Sequence, residues 1–220
     1  MNDLNQLILS FDHEQNFRNL DFYVSKSNSY VFNIINNWST KNEKFLNIIG
    51  EKSCGKSHLI NIFLKKNKGL KINSDQLNNA FLRKIKFYEN VILEDLTSKI
   101  NEKFFYSLIN IIEAENKHLI VTSEVSIVKL NFKLSDLKSR SKNFTLSNIE
   151  NPDDNLMFAL ILKNLSDRQI SIDKKLIDYI IKRIDRSYSN ISNFIYKIDQ
   201  LSLKKKKSID FKIIKEALGD

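Results

Sequence analysis

Apolar residues along this chain follow two kinds of pattern, and their order predicts the fold. Continuous short runs, namely Phe45 to Ile49, residues 70–72, Val91-Ile92-Leu93 and His118 to Thr122, have the length of strands buried on both faces. A weaker run at residues 143–146 predicts a fifth strand. Between them lie stripes at helical spacing: Val31, Ile34, Ile35 and Trp38, then Leu59, Ile60, Phe63 and Leu64, then Phe104, Phe105, Leu108, Ile109 and Ile112. Strands alternating with helices predict an α/β fold, a parallel five-stranded sheet with helices on both faces.

Beyond Pro152 the strand-like runs stop. One helical stripe covers residues 153–165, a second Leu176, Ile177, Ile180, Ile181 and Ile184, and a third Ile191, Phe194, Ile195, Ile198 and Leu201. A short helix follows at residues 210–218. The expected organisation is a tail over residues 1–13, an α/β domain over 14–150 and a small helical domain over 151–220.

Composition narrows the class. Of 220 residues, 42% are hydrophobic, so a packed core is expected, and four glycines with one proline exclude collagen-like and Pro-rich chains. A single cysteine, Cys54, allows no intramolecular disulfide and points to a reducing compartment. The N-terminus has neither the basic region nor the apolar length of a signal peptide, and no stretch is long enough to span a membrane. A cytoplasmic protein with no membrane partner is expected. The net charge of +9 is spread along the chain and rests mostly on lysine, which favours a solvated basic surface over a dedicated nucleic-acid face. Lys204 to Lys207 form the one dense cluster.

Two of the four glycines lie in one short segment, Gly50-Glu51-Lys52-Ser53-Cys54-Gly55-Lys56-Ser57. It fits G-x-x-x-x-G-K-[ST] between an expected strand and an expected helix, the context a phosphate-binding loop requires. Glycines let backbone N–H groups turn towards phosphate oxygens, and the helix that follows adds the positive end of its dipole. Lys56 supplies an ammonium for the β- and γ-phosphates, and the Ser57 hydroxyl is a Mg2+ ligand. The cofactors expected are ADP or ATP with Mg2+. Glu94 and Asp95 end an apolar strand, where a carboxylate holds Mg2+ directly or through water, so Ser57 and Glu94 are the candidate metal ligands. Ser123 and Glu124 end the next strand, either as a γ-phosphate sensor or as a simple turn. Arg140, one of six arginines, follows an expected helix and is either an arginine finger or a surface ion-pair partner.

These pieces, in this order, resemble the AAA+ module of the DnaA-type replication initiators, and more closely its short regulatory inactivators. Tyr23, Val24 and Asn28 lie in FYVSKSN, similar to the family segment that borders the adenine pocket; GEKSCGKSHL, LEDL (93–96) and LSDLKSR (134–140) are similar to its Walker A, Walker B and finger segments. Ser189 stands where the family's lid helix carries an arginine. Gln6, Leu7, Leu9 and Phe11 lie in QLILSF, which resembles the peptide that docks on the DNA polymerase III sliding clamp, beta subunit. Ending at the lid, the chain is expected to act without the initiators' DNA-reading domain.

The resemblance implies a P-loop AAA+ module with a helical lid, tethered to the sliding clamp and reaching DNA through it. It implies DnaA as the partner, stimulated to hydrolyse ATP by Arg140 in trans and so inactivated. Intrinsic ATPase activity is expected to be weak or absent, and homo-oligomers are possible. The alternative is a stand-alone AAA+ ATPase of helicase-loader type acting on single-stranded DNA.

Overall fold

The computed structural model describes residues 22–38 and 42–219. The candidate clamp-binding residues Gln6, Leu7, Leu9 and Phe11 lie outside the described residues. Five strands, β1 (Phe45–Ile49), β2 (Gly69–Asn73), β3 (Asn90–Leu96), β4 (His118–Ser123) and β5 (Thr145–Asn148), alternate with helices α1 (Ser29–Asn36), α2 (Lys56–Lys66), α3 (Asn79–Lys84), α4 (Glu102–Ala114) and α5 (Ser135–Ser141). They form one sheet in the order β2-β3-β4-β1-β5, and every pairing is parallel.

Strand alternation explains why the runs carry apolar residues at successive positions. Ile92 and Ile120 face α1, α2 and Trp38 together with Leu46 and Ile48 of β1. Val91, Leu93, Leu119 and Val121 face the opposite side, where α3, α4 and Leu137 of α5 cover them. Burial on both faces leaves no position for a polar residue unless its hydrogen bonds are met inside. Asn47 is a polar residue whose bonds are so met, with no exposed surface. Its amide donates to Val121 O and Ser123 Oγ and accepts from Ile127 N, so one buried side chain joins β1 to β4 and to the turn beyond it.

Helices α6 (Asp154–Asp167), α7 (Lys174–Ile181), α8 (Tyr188–Lys205) and α9 (Phe211–Leu218) follow the sheet and pack around Met157, Ile161, Ile177, Ile195, Ile198 and Ile214. Each begins at an Asp or Ser cap: Asp153, Asp173, Ser187 and Asp210 accept from N–H groups of the first turn. Leu156 of α6 and Tyr188 of α8 instead reach into the α1/α2 core, so the sheet and this bundle share buried surface.

The weakest expected strand moves: β5 covers Thr145–Asn148 instead of starting at residue 143, because Phe144 packs on Phe45 before the pairing with β1 begins. Arg140 does not follow a helix but lies in the last turn of α5.

Candidate nucleotide-binding site

The loop between β1 and α2 opens at the carboxyl ends of the strands, where ligands of such sheets bind. Its path depends on small residues. A Cβ on Gly50 would stand 2.5 Å from Cys54 Sγ and 3.2 Å from Ile149 Cβ, so glycine is needed for the thiol to pack beneath the loop. Gly55 has φ +96°, in the left-handed region, immediately before α2. Ser53 adopts φ +66° without being glycine. Burial pushes the Cys54 thiol up, which makes it a packing group and not a nucleophile.

Lys56 is buried, and its ammonium donates to Gly50 O at 2.8 Å and Glu51 O at 2.9 Å. The loop thus holds its own cation by two carbonyls, and a phosphate would take over those contacts. Ser57 is exposed in the first turn of α2.

Around the loop lies a cleft of about 1510 Å³ that collects most of the residues singled out in the sequence. Tyr23, Val24 and Asn28 line one side, Lys52 to Ser57 the floor, Asp95 and Glu124 the strand ends, and Leu156, Phe158, Tyr188 and Ile191 the helical side. Asn28 acts on the backbone: its side chain donates to Tyr23 O and accepts from Ser25 N, which shapes the segment that presents Tyr23 and Val24. Phe22 stacks on Phe32 and meets His58 edge-on. Nothing in the sequence pattern marked this aromatic group, because its members belong to separate elements.

Three candidate residues take positions that spacing does not reveal. Ser123 does not face the cleft: it is buried, and its hydroxyl accepts from Asn47 at 2.8 Å. The cleft-lining residue of that pair is Glu124. Glu94 pairs with Lys71 beside β2 at 3.0 Å through one oxygen, while the other is buried with no hydrogen-bond partner. Asp95 reaches the cleft because the β3–β4 register shifts between Leu93 and Leu96 and Asp95 turns to φ +54°. Its N–H donates to Thr122 Oγ1 and its carbonyl accepts from Ser74, which secure the strained turn.

A cation needs more than these side chains. Among the described residues there is no group of three or more His, Cys, Asp or Glu able to hold a metal. The orphaned Glu94 oxygen and the exposed Ser57 hydroxyl fit Mg2+ only if phosphate oxygens complete the shell.

The helical side supplies no free arginine to the cleft among the described residues. Arg186 pairs with Asp154 at 2.8 Å, Arg168 with Asp199, and the Arg183 guanidinium lies over the Tyr179 ring. What faces the loop is the start of α8, and Glu51 occupies it. The Glu51 carboxylate accepts from Ser187 Oγ, Tyr188 N and Ser189 N. Burial alone raises the Glu51 carboxyl, but these hydrogen bonds outweigh it and hold the group below its ordinary value. Asp153 behaves likewise: burial raises it, and donors from Leu156 N, Ser25 and Ser27 bring it lower still.

Because both carboxyls are held below their ordinary values in the folded protein, the stabilisation is present above those values and lost as pH falls. Melting temperature is expected to drop between about pH 5 and about pH 3, and to drop less in Glu51→Gln. Equal slopes for the two proteins would contradict the Glu51 contribution.

Arg140 lies outside the cleft lining, in the last turn of α5 beside α4. Glu113 pairs with it, and its guanidinium stands 5.4 Å over the Tyr106 ring. The hydrogen bond it donates to Glu113 raises its pKa, so its charge is permanent. Glu102 at the start of α4 accepts from Lys133 N and Leu134 N, so α4 fixes α5 at both ends.

No protein-family model matches the chain. It is 24% identical over 197 residues to the chromosomal replication initiator protein DnaA of Caldanaerobacter subterraneus subsp. tengcongensis, across 79% of this chain and 44% of that protein. An uncharacterized protein of Haemophilus influenzae is 24% identical over 212 residues, covering 90% of this chain and 92% of its own. The chain spans about half the length of the DnaA relatives it matches. Domain III of Thermotoga maritima DnaA superposes with a TM-score of 0.76 at 18% identity, over 94% of this chain and 97% of that one. A DnaA bound to AMPPCP and single-stranded DNA gives 0.67 at 19% identity, over 85% and 67%. The Thermotoga maritima RuvB branch migration motor gives 0.64 at 13%, over 89% and 69%. The fold is the AAA+ P-loop fold of DnaA domain III, and the sequence is related to DnaA. Among the described residues no helix is long and apolar enough to cross a membrane.

Proposed function

We propose that this DnaA-related AAA+ chain is an Hda-like regulator of replication initiation: it binds ADP or ATP at residues 50–57, is tethered to the sliding clamp through Gln6 to Phe11, and inactivates DnaA by stimulating its ATP hydrolysis. The observation that supports this reading best is the separation of Arg140 from the chain's own cleft. An arginine fixed on α5 by α4, partly exposed and always charged, is suited to a phosphate on another molecule. On the helical side of the chain's own cleft, by contrast, the start of α8 is taken by the Glu51 carboxylate, and no arginine among the described residues is free to enter. That arrangement favours holding nucleotide over turning it over.

In this reading the backbone of residues 50–55 and Lys56 would hold the phosphates, and Ser57 and Glu94 would hold Mg2+ together with phosphate oxygens. Tyr23 and Val24, on one wall of the cleft, would border the base. On the partner, Arg140 exchanges Glu113 for the γ-phosphate, and the charge it brings to the transition state accelerates hydrolysis.

The test is DnaA-bound ATP hydrolysis with clamp-loaded DNA. The chain is expected to accelerate it, and Gln6→Ala/Leu9→Ala to lose most of the acceleration at limiting protein, because tethering raises effective concentration by about 10²-fold or more. Acceleration that is independent of clamp would remove the tether. Hydrolysis by the purified chain itself, stimulated by single-stranded DNA, would instead favour the loader alternative.

A further inference from the structure

Glu51 joins the phosphate loop to the start of α8 through its side chain while its backbone serves the loop itself. Its carbonyl accepts from the Lys56 ammonium at 2.9 Å. Its carboxylate, more than 130 positions away in sequence, accepts from Ser187 Oγ at 2.6 Å, Tyr188 N at 3.0 Å and Ser189 N at 3.3 Å. The Ser187 hydroxyl serves two partners, donating to Glu51 and accepting from Asn190 N as the helix cap.

The consequences reach the cleft wall. Tyr188, Ile191 and Ser192, all in the first turns of α8, line the same cleft as Lys56 and Ser57. Tyr188 is almost fully buried, and its hydroxyl donates to Glu150 O, which fixes the helix start laterally. Glu51 links this wall to the loop, and its three donors all belong to one turn. Helix N-terminal N–H groups have no intrahelical partners, so a carboxylate there is well bound.

We propose that Glu51 is a positioning residue of the nucleotide site, a clasp that holds the α8 wall over the phosphate loop and so retards escape of a bound nucleoside phosphate. The inference rests on the nucleotide reading of residues 50–57 and adds a role for a loop side chain that does not itself touch phosphate. Phosphate binding and lid position meet in this residue, because Lys56 must leave the Glu51 carbonyl to reach a phosphate while the Glu51 side chain stays on α8.

Two variants break the clasp in different ways. Glu51→Ala removes the acceptor. Ser187→Asp keeps a strong helix cap at the same position but sets a like charge against Glu51. Dissociation of N-methylanthraniloyl ADP and ATP from the full chain is expected to be about tenfold faster in each variant, the loss of a charge-assisted hydrogen-bond set. The double variant should be no faster than either single one, since one interaction cannot be lost twice. Backbone hydrogen exchange at Tyr188 and Ser189 should rise in step. A purely structural role would lower the melting temperature of Glu51→Ala and leave Ser187→Asp at the wild-type dissociation rate. Unchanged dissociation together with unchanged exchange in Glu51→Ala would overturn the clasp. If the wild type bound neither probe, the nucleotide reading would fall and the retention role with it, while exchange at Tyr188 and Ser189 would still decide whether Glu51 holds the lid.

Discussion

Arg140→Ala is expected to abolish the stimulation of DnaA-bound ATP hydrolysis while leaving the protein folded and clamp-bound. An arginine finger contributes ~10³–10⁵ in rate, so removing one guanidinium takes away essentially the whole effect. The cost to stability is small by comparison. Arg140 pairs with Glu113 at side-chain exposures of 29% and 35%, and such partly solvated pairs contribute roughly 0–1 kcal/mol. Arg140→Lys should not rescue, because an ammonium lacks the planar fork that spans phosphate oxygens and stacks over Tyr106. The measurement is single-turnover hydrolysis of ATP on DnaA with clamp-loaded DNA, run beside thermal melting of each variant. Stimulation by Arg140→Ala at the wild-type rate would remove the trans mechanism.

Lys56→Ala is expected to eliminate the thermal stabilisation that ADP or ATP confers. Two contributions separate cleanly. In the free protein the ammonium satisfies Gly50 O and Glu51 O, so its removal lowers the melting temperature by the equivalent of about 1 kcal/mol. With nucleotide at 100 times the dissociation constant, the wild type gains about 2.7 kcal/mol, and the variant loses nearly all of it. The difference between melts with and without nucleotide isolates the phosphate contact from the loop contact. A nucleotide shift that survives in Lys56→Ala would mean the phosphates lie elsewhere.

These two residues were legible in the sequence for different reasons. Lys56 stands in a motif whose spacing is local: glycine, four residues, glycine, lysine, serine, set between a strand and a helix. Arg140 had only its segment to mark it, and Glu113 and Tyr106 became its neighbours when α5 packed on α4. The strands read well where apolar residues dominate, as in β1, β3 and β4, since burial on both faces favours a nearly continuous run. The six-residue α3 had too few periodic positions to stand out, although Phe81 and Leu82 are buried.

Short-range chemistry therefore carried the phosphate loop, the five strands and the helical stripes, because each depends on residues within a few positions and on periods of two or 3.6. Long-range packing decided the rest. A register shift and a left-handed φ turned Asp95 to the cleft, and a buried Asn47 drew the Ser123 hydroxyl inward. Glu51, an unremarkable acid inside a glycine-bounded loop, found its partners at the start of α8. Hydrogen bonds between groups far apart in the chain exist only once the backbone has brought donor and acceptor within about 3 Å, and no spacing rule encodes that approach.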